Sequence, residues 1–282
     1  MKPESHPYFK KQVALATLHG KAKAIAPEFQ EILGMKVDEY SVNTDLLGTF
    51  TGDIERVGTP KEVVIKKAKL AIAESKYQFG LASEGSIGTD PYIPFINSDI
   101  ELMAFVDTEH DFTLVESLRS TEIFASSKVV RKSDDLDEFL LKADFPNHKL
   151  IVKSADTPPS FLVKGIGHLS ELNEVLAKGF LEFSELVIES DLRAHCSPSR
   201  MANIGKLAQR LAQRLSNLCP ECSTPGWGIV DVERGLPCSD CGEISEEAPK
   251  AEILGCCKCS FSQKGKVIAE SIDPSRCDLC NP

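Results

Sequence analysis

The pattern of apolar and polar positions divides the chain into an alternation of strands and helices followed by a tail of a different kind. The run Val13-Ala-Leu-Ala-Thr17 reads as a buried strand, and Ala22 to Leu33 has the spacing of a helix that Gly34 ends. Lys36 to Val42 alternates as a second strand. Asn43 to Thr59, rich in Thr, Gly and Asp, reads as a loop, and Thr59-Pro60 opens a helix over Lys61–Ser75. Phe79 to Ala82 is a strand that runs into a glycine-containing turn, Glu84-Gly-Ser-Ile-Gly88. Ile100–Val106 and Phe112–Glu116 predict antiparallel strands joined near Glu109-His110. Beyond them follow a helix (Leu136–Ala143), a strand (Leu150–Lys153), a surface loop (Asp156–Ser160), a helix (Ser170–Phe180) and a strand (Leu186–Glu189). Strands alternating with helices predict an α/β fold whose helices flank the sheet, and the central hairpin makes that sheet mixed.

Ser197-Pro198 predicts a helix start, with Ser197 as N-cap and proline in the first turn, and the helix runs to Asn217. Its apolar face carries Met201, Ile204, Ala208, Leu211 and Leu215, while Lys206, Arg210 and Arg214 form a stripe expected to face solvent. The chain thus divides into an α/β domain (1–198), a bridging helix (199–217) and a cysteine-rich module (218–282).

Cysteine placement changes the picture most. All ten cysteines lie after residue 195 and nine after residue 218, in the knuckles Cys219-Pro-Glu-Cys222, Cys238-Ser-Asp-Cys241, Cys256-Cys-Lys-Cys259 and Cys277-Asp-Leu-Cys280. A two-residue gap lets both sulfurs of a knuckle point at one ion, and Gly242 suits the turn after the second. Eight thiolates make two closed four-cysteine sites, which predict two structural zinc ions rather than disulfides or iron–sulfur clusters. The spacing leaves open whether neighbouring knuckles share an ion or the pairing interleaves. It also leaves open whether Cys257 replaces Cys256. With few apolar residues, the module is expected to need its metal to fold.

Net charge narrows the partners. At −10 overall, and with six Lys/Arg against eleven Asp/Glu in 219–282, the chain is a poor surface for nucleic acid. It has no apolar run long enough for a bilayer, and its polar start predicts a cytoplasmic protein. The module instead predicts a metal-stapled cap or a contact for a protein partner or a second copy. Trp227, the single tryptophan, is expected to pack the module onto its neighbour.

Three loops carry the residue types of phosphate chemistry: Thr17-Leu-His-Gly-Lys21, the segment Gly48 to Arg56 with Asp45 before it, and Glu84 at its glycine turn. Asp191-Leu-Arg-Ala-His195 and Ser199-Arg200 add two guanidinium groups and an imidazole. The order of Ala16-Thr-Leu-His-Gly-Lys21, Gly48-Thr-Phe-Thr-Gly-Asp-Ile-Glu55, Lys67-Ala68, Ala82-Ser-Glu-Gly-Ser86 and Ser197-Pro-Ser-Arg200 resembles the inosine-triphosphate-pyrophosphatase-like fold. The resemblance spans about residues 12–215, with His19 at the family's asparagine and Glu84 at its aspartate. It implies a Mg2+-dependent pyrophosphohydrolase acting on a nucleotide or related phosphate ester. Lys21 would hold phosphate, Glu55, Glu84 and Asp53 would bind metal, and Thr17, His19, Arg193, His195 and Arg200 would grip the substrate. A non-catalytic nucleotide or anion sensor is the alternative. The whole chain, with Asp191-Leu-Arg-Ala-His195 and the Pro225-Gly-Trp-Gly tail, also resembles a bacterial family defined by sequence alone, which implies no activity.

Overall fold

The computed structural model describes residues 3–17, 20–41 and 58–282. Its first layer is a five-stranded sheet built from β1 (Gln12–Ala16), β2 (Lys36–Tyr40), β3 (Phe79–Thr89), β4 (Asn97–Asp107) and β5 (Phe112–Ser120) in the order β2-β1-β3-β4-β5. β1 runs parallel to both β2 and β3, whereas β3, β4 and β5 pair antiparallel. The sheet is mixed, as the hairpin predicts.

Helices cover both faces. α1 (Ala22–Leu33) connects β1 to β2, and α2 (Pro60–Ser75) lies between β2 and β3 in the chain. Because the chain leaves β1 to one side and returns to the other, right-handed crossovers put α1 and α2 on opposite faces. α1 and α5 (Pro198–Ser216) bury Ile25, Phe29, Ile204, Leu207 and Leu211 against Val13, Leu15, Leu81, Met103 and Phe105. On the other face α2 packs Val64, Ala68 and Ala71 onto Ala14, Ala16, Ala82 and Ala104. The alanines of β1 and β3 let the helix approach closely. α2 starts from a capping box in which Thr59 and Glu62 bond each other's backbone N–H. α1 ends at Gly34 in the left-handed region (φ 64), whose N–H returns to Gln30 and Phe29.

A second sheet follows β5. β6 (Ser127–Val130), β7 (Leu150–Lys153), β8 (Leu162–Ile166) and β9 (Leu186–Ser190) form a wholly antiparallel layer in the order β6-β9-β7-β8. α3 (Asp137–Lys142) and α4 (Leu169–Gly179) close its core with Phe139, Leu172, Val175 and Leu176 over Leu150, Val152, Ile166 and Ile188. β6 and β8 are short and carry exposed positions, so their periodicity does not stand out. The strands Leu150–Lys153 and Leu186–Glu189, expected beside the first sheet, belong to this one.

Three local expectations need correction. The segment Glu84–Gly88 is not a turn but part of β3, paired to β4 from Phe79↔Asp107 to Thr89↔Asn97. Gly85 serves packing there: a Cβ would lie 2.3 Å from a Glu101 carboxylate oxygen and 2.4 Å from the Arg200 guanidinium. Ser197 occupies the N-cap of α5, yet its side chain makes no capping hydrogen bond. The imidazole of His148 instead accepts the N–H of Ser199 at 3.1 Å. The stripe on α5 is not a bare solvated face either, since Lys206 pairs with Glu122 and both Arg210 and Arg214 pair with Glu116 of β5.

The tail forms a third, antiparallel sheet, β10 (Gly228–Pro237), β11 (Ile244–Gly255) and β12 (Ser262–Val267), in that order. It docks through Gly226, where a Cβ would meet Cys257, Leu114 and Phe112, and through amides of Gly226 and Trp227 that donate to Asn217 O. Trp227 itself stacks on Phe261 inside the module, with ring centroids 5.5 Å apart.

Close α2 packing gives a test. A Cβ on Gly80 would sit 2.2 Å from the carbonyl oxygen of Ala68. Gly80→Ala is expected to cost about 1–3 kcal/mol, read as an earlier urea midpoint with an unchanged slope.

Candidate functional site

In open α/β sheets ligands bind at the carboxyl ends of parallel strands, where the strand order reverses. Here that point lies between β1 and β3. β1 stops at Ala16, paired to Ala82, while β3 continues through Ser83, Glu84 and Gly85. Beyond Ala16 no backbone of β1 separates the two faces, so charges carried by helices on opposite faces meet. Lys21, just before α1, reaches across to β3 and donates to Ser83 Oγ at 3.0 Å and Ser83 O at 3.4 Å. Lys67 of α2 pairs with Glu84 at 2.6 Å, both nearly buried. Arg200 of α5 pairs through Nε with Glu101 of β4 at 2.6 Å and donates to Leu192 O at 2.7 Å. Thr17 is buried at the same strand end.

The four charged neighbours Glu101, Arg200, Glu84 and Lys67 all act on the Lys21 ammonium, which places the five groups in one cluster. Burial is the largest influence and lowers Lys21 to about 8. Deeper along β4, Asp99 shares a strand face with Glu101 and accepts a hydrogen bond from Asn203 Nδ2 at 2.9 Å. Burial, then the Glu101 carboxylate, raises Asp99 to about 7. Asp99 Oδ1 and Glu101 Oε2 have no hydrogen-bond partner among the described residues. Such orphaned buried oxygens are uncommon in folded proteins.

Of the residues expected to handle phosphate, the structure brings Thr17, Lys21, Glu84 and Arg200 to this strand end. His19, Asp53 and Glu55 lie outside the described residues, as do Asp45 and the rest of its loop. Arg193 and His195 belong to a neighbouring group. Arg193 forks onto Asp191, with Nε 2.9 Å from Oδ1, and His195 feels Arg193, Asp191 and Lys149, its pKa lowered by burial first. Glu101 completes the cluster without any sequence motif, and Lys67, which the sequence offers only as part of the Lys67-Ala68 helix segment, joins it as the partner of Glu84. The parity of β3 and β4 was the available signal: Glu84 alternates with alanine on the α2 face, and Asp99 and Glu101 continue the apolar row of Met103 and Phe105. A carboxylate in line with core positions needs a buried cation.

The cysteine module resolves its pairing. Cys219, Cys222, Cys256 and Cys259 form one group, and Cys238, Cys241, Cys277 and Cys280 the other, the ligand atoms of each within 4.8 Å of one another. First and third knuckles join, as do second and fourth, so the pairing interleaves. Sulfur separations of 3.7 Å (Cys219–Cys259), 3.6 Å (Cys222–Cys256), 3.8 Å (Cys238–Cys280) and 3.7 Å (Cys241–Cys277) match the edge of about 3.8 Å that tetrahedral bonds of about 2.3 Å demand. Each group could therefore hold a metal ion. Amides of Lys258 and Cys259 donate to Cys256 Sγ, and that of Asp240 to Cys238 Sγ, which orients these sulfurs and stabilises negative charge on them. Hydrogen bonding with Thr224 lowers Cys222 to about 6 and amides of Cys241 and Asp240 lower Cys238 to about 7, while the neighbouring sulfurs raise Cys241, Cys259 and Cys280, as clustered thiols that share protons must. Cys257 is excluded: its thiol donates to Pro225 O at 3.2 Å, and burial pushes it up to about 12. Among the described residues no other His, Cys, Asp or Glu group of three or more gathers closely enough to share an ion.

The carboxyl cluster predicts a pH response. Asp99 is raised from 3.8 to about 7, so its contribution to stability is present below about pH 4 and is lost as pH rises through about 7. Asp99→Asn removes that titration. Urea unfolding at pH 5 and pH 8 is expected to show a smaller loss of stability across this interval in the variant than in wild type.

No helix among the described residues is long and apolar enough to cross a membrane. None of the curated proteins matches the chain. A family model described as a domain of unknown function (DUF6671) matches residues 67–282, a span that starts at Lys67 and takes in Glu84, Glu101, Arg200 and all eight grouped cysteines. Thr17 and Lys21 precede it. With most of its length inside that match, from the buried ion pairs of the first sheet to the last knuckle, the chain belongs to the DUF6671 family.

Proposed function

We propose that the chain is a Mg2+-assisted phosphohydrolase that takes a nucleotide or a related phosphate ester at the carboxyl ends of β1 and β3. The observation that carries this reading is the convergence of Lys21, Lys67 and Arg200 with Glu84 and Glu101 at the topological switch point. Lys67 and Arg200 are paired with Glu84 and Glu101, whereas Lys21 is held by the neutral Ser83, so the cluster keeps a buried cation whose cost an anionic ligand would offset. An ammonium has three donors, and Ser83 takes two of the contacts of Lys21. Lys21 then holds a phosphate oxygen, and Arg200, anchored by Glu101 and Leu192 O, adds a buried positive charge beside it. Glu84, with Asp53 and Glu55, would hold Mg2+, which when bound would supply charge neutralisation and a more acidic water. Nucleotide hydrolysis in this form also follows from the resemblance to the inosine-triphosphate-pyrophosphatase-like fold.

The tail is proposed to carry two zinc ions. Both thiolate groups have the spacing that zinc requires, and four protein ligands leave no open coordination position, so each ion cross-links rather than catalyses. The module serves as a cap and as a contact surface for a protein partner or a second copy.

A second reading has one observation in its favour. Glu84 and Glu101 already carry cationic partners, as expected of a site that binds phosphate without turning it over. One experiment separates the two. Protein confirmed to hold two zinc ions is screened with Mg2+ against nucleotides and sugar phosphates, reading phosphate and pyrophosphate release beside Glu84→Gln and Lys21→Met. Release that falls by about 10²-fold or more in both variants supports the hydrolase. Calorimetric binding without release supports the sensor, and neither binding nor release in wild type overturns the phosphate site.

A further inference from the structure

One residue before Arg200, the junction between the second sheet and α5 gathers an acid, an imidazole and a hydroxyl in series. Asp144 follows α3 with a left-handed backbone (φ 52), and the turn from it returns His148 N–H to its carbonyl at 3.0 Å. The same turn sets His148 Nδ1 2.8 Å from Asp144 Oδ2. The next peptide is fixed as well: Lys149 N–H donates to Cys196 O at 3.0 Å, which lays this segment along the entry to α5. On its far side the ring reaches Ser199, whose Oγ lies 2.9 Å from Nε2. The imidazole is 4% exposed and packs against Phe124, with ring centroids 4.7 Å apart. Ser199 remains partly exposed.

The backbone settles the tautomer. Ser199 N–H donates to Nε2, so that nitrogen carries the lone pair, and the ring proton resides on Nδ1 facing the Asp144 carboxylate. This is the state a general base needs in front of a hydroxyl nucleophile. Capping the helix accounts for the N–H bond alone, because a cap requires only an acceptor. The carboxylate behind Nδ1 and the hydroxyl before Nε2 are what proton transfer requires. Ser199 also lies in the first turn of a 19-residue helix, where the macrodipole favours developing negative charge.

We propose that Asp144, His148 and Ser199 form an acyl-transfer site that hydrolyses carboxylic esters, with the half-exposed Phe124 ring as the wall against which the acyl group lies. Ser199 Oγ attacks the ester carbonyl carbon and forms a C–O bond, while the bond to the leaving alcohol breaks. His148 Nε2 takes the hydroxyl proton and delivers it to the departing alkoxide. Water then attacks the acyl-serine, its proton passes through His148 back to Ser199 Oγ, and the carboxylic acid leaves. The sum is ester plus water giving acid plus alcohol, with no redox partner.

The test uses the full chain and an alkyl fluorophosphonate, in which the Ser199 oxygen displaces fluoride and the adduct is found by intact mass and peptide mapping. Wild type is expected to be labelled at Ser199 and to hydrolyse p-nitrophenyl acetate. Ser199→Ala, which leaves the His148 cap to the backbone intact, is expected to melt as wild type does and to lose both signals. Asp144→Asn is expected to slow labelling by about 10²-fold or more, through the wrong tautomer. Wild type that stays unlabelled at Ser199, or Asp144→Asn labelled as fast as wild type, overturns the proposal and leaves His148 as a helix cap.

Discussion

The ion pair between Arg200 and Glu101 is the contact on which the molecule's other arrangements hang. The Arg200 side chain is 3% exposed and that of Glu101 is fully buried, so neither charge keeps its hydration. Removing one partner of such a pair costs about 3–5 kcal/mol, because the other is left uncompensated in low dielectric. The pair has room only because β3 carries glycine at position 85, where any Cβ would strike both groups. In exchange it fixes the axial position of α5 over β3 and β4. At its first turn α5 then meets His148 of the second sheet, and near its last turn Arg214 and Asn217 hold β5 and the cysteine module. One helix thus joins three sheets, and its place is set by one buried pair.

The fold explains why charge concentrates where it does. Parallel strands alone create the carboxyl-end crevice, and only β2, β1 and β3 are parallel. Adding β4 and β5 antiparallel brings the start of β4, with Asp99 and Glu101, to the same end of the sheet. The cysteine module solves a different problem. Its own apolar core is little more than Leu236, Ala248 and Ile272 with two cysteines. A core that small cannot order a long hairpin by burial. Interleaved pairing sets one cysteine group at each end of the β10–β11 hairpin, so that an ion held by each would fix both ends of a strand pair about 30 Å long.

Legibility followed the range over which each signal acts. Helix ends and the eight grouped cysteines rest on spacings of a few residues, and Gly34, Thr59 and the Cys-x-x-Cys pairs carried them. Knuckle pairing depends on how β10 and β11 close, so the spacing left it open. The glycines after Glu84 read as a turn because glycine usually marks one. At Gly85 the residue makes room for Arg200, a side chain more than a hundred positions away. Glu101 had no motif, and Lys67 stood only in the Lys67-Ala68 helix segment; their roles took meaning from strand parity and helix packing. Asp144, His148 and Ser199 are likewise united only by the second sheet, whose weakly periodic β6 and β8 did not announce it.

The central claim is that the cations at the end of β1 are kept for a ligand and not for the fold, and Lys21 tests it most directly. Its ammonium is buried, held by Ser83 and lowered to about 8, which marks it as a group the folded state carries at a cost. The decisive measurement is the thermal midpoint of Lys21→Met against wild type at pH 7, without ligand and with pyrophosphate and Mg2+. The account predicts a variant at least as stable as wild type on its own and no longer stabilised by the anion. A variant that melts several degrees lower without ligand, yet still gains from pyrophosphate as wild type does, would contradict it.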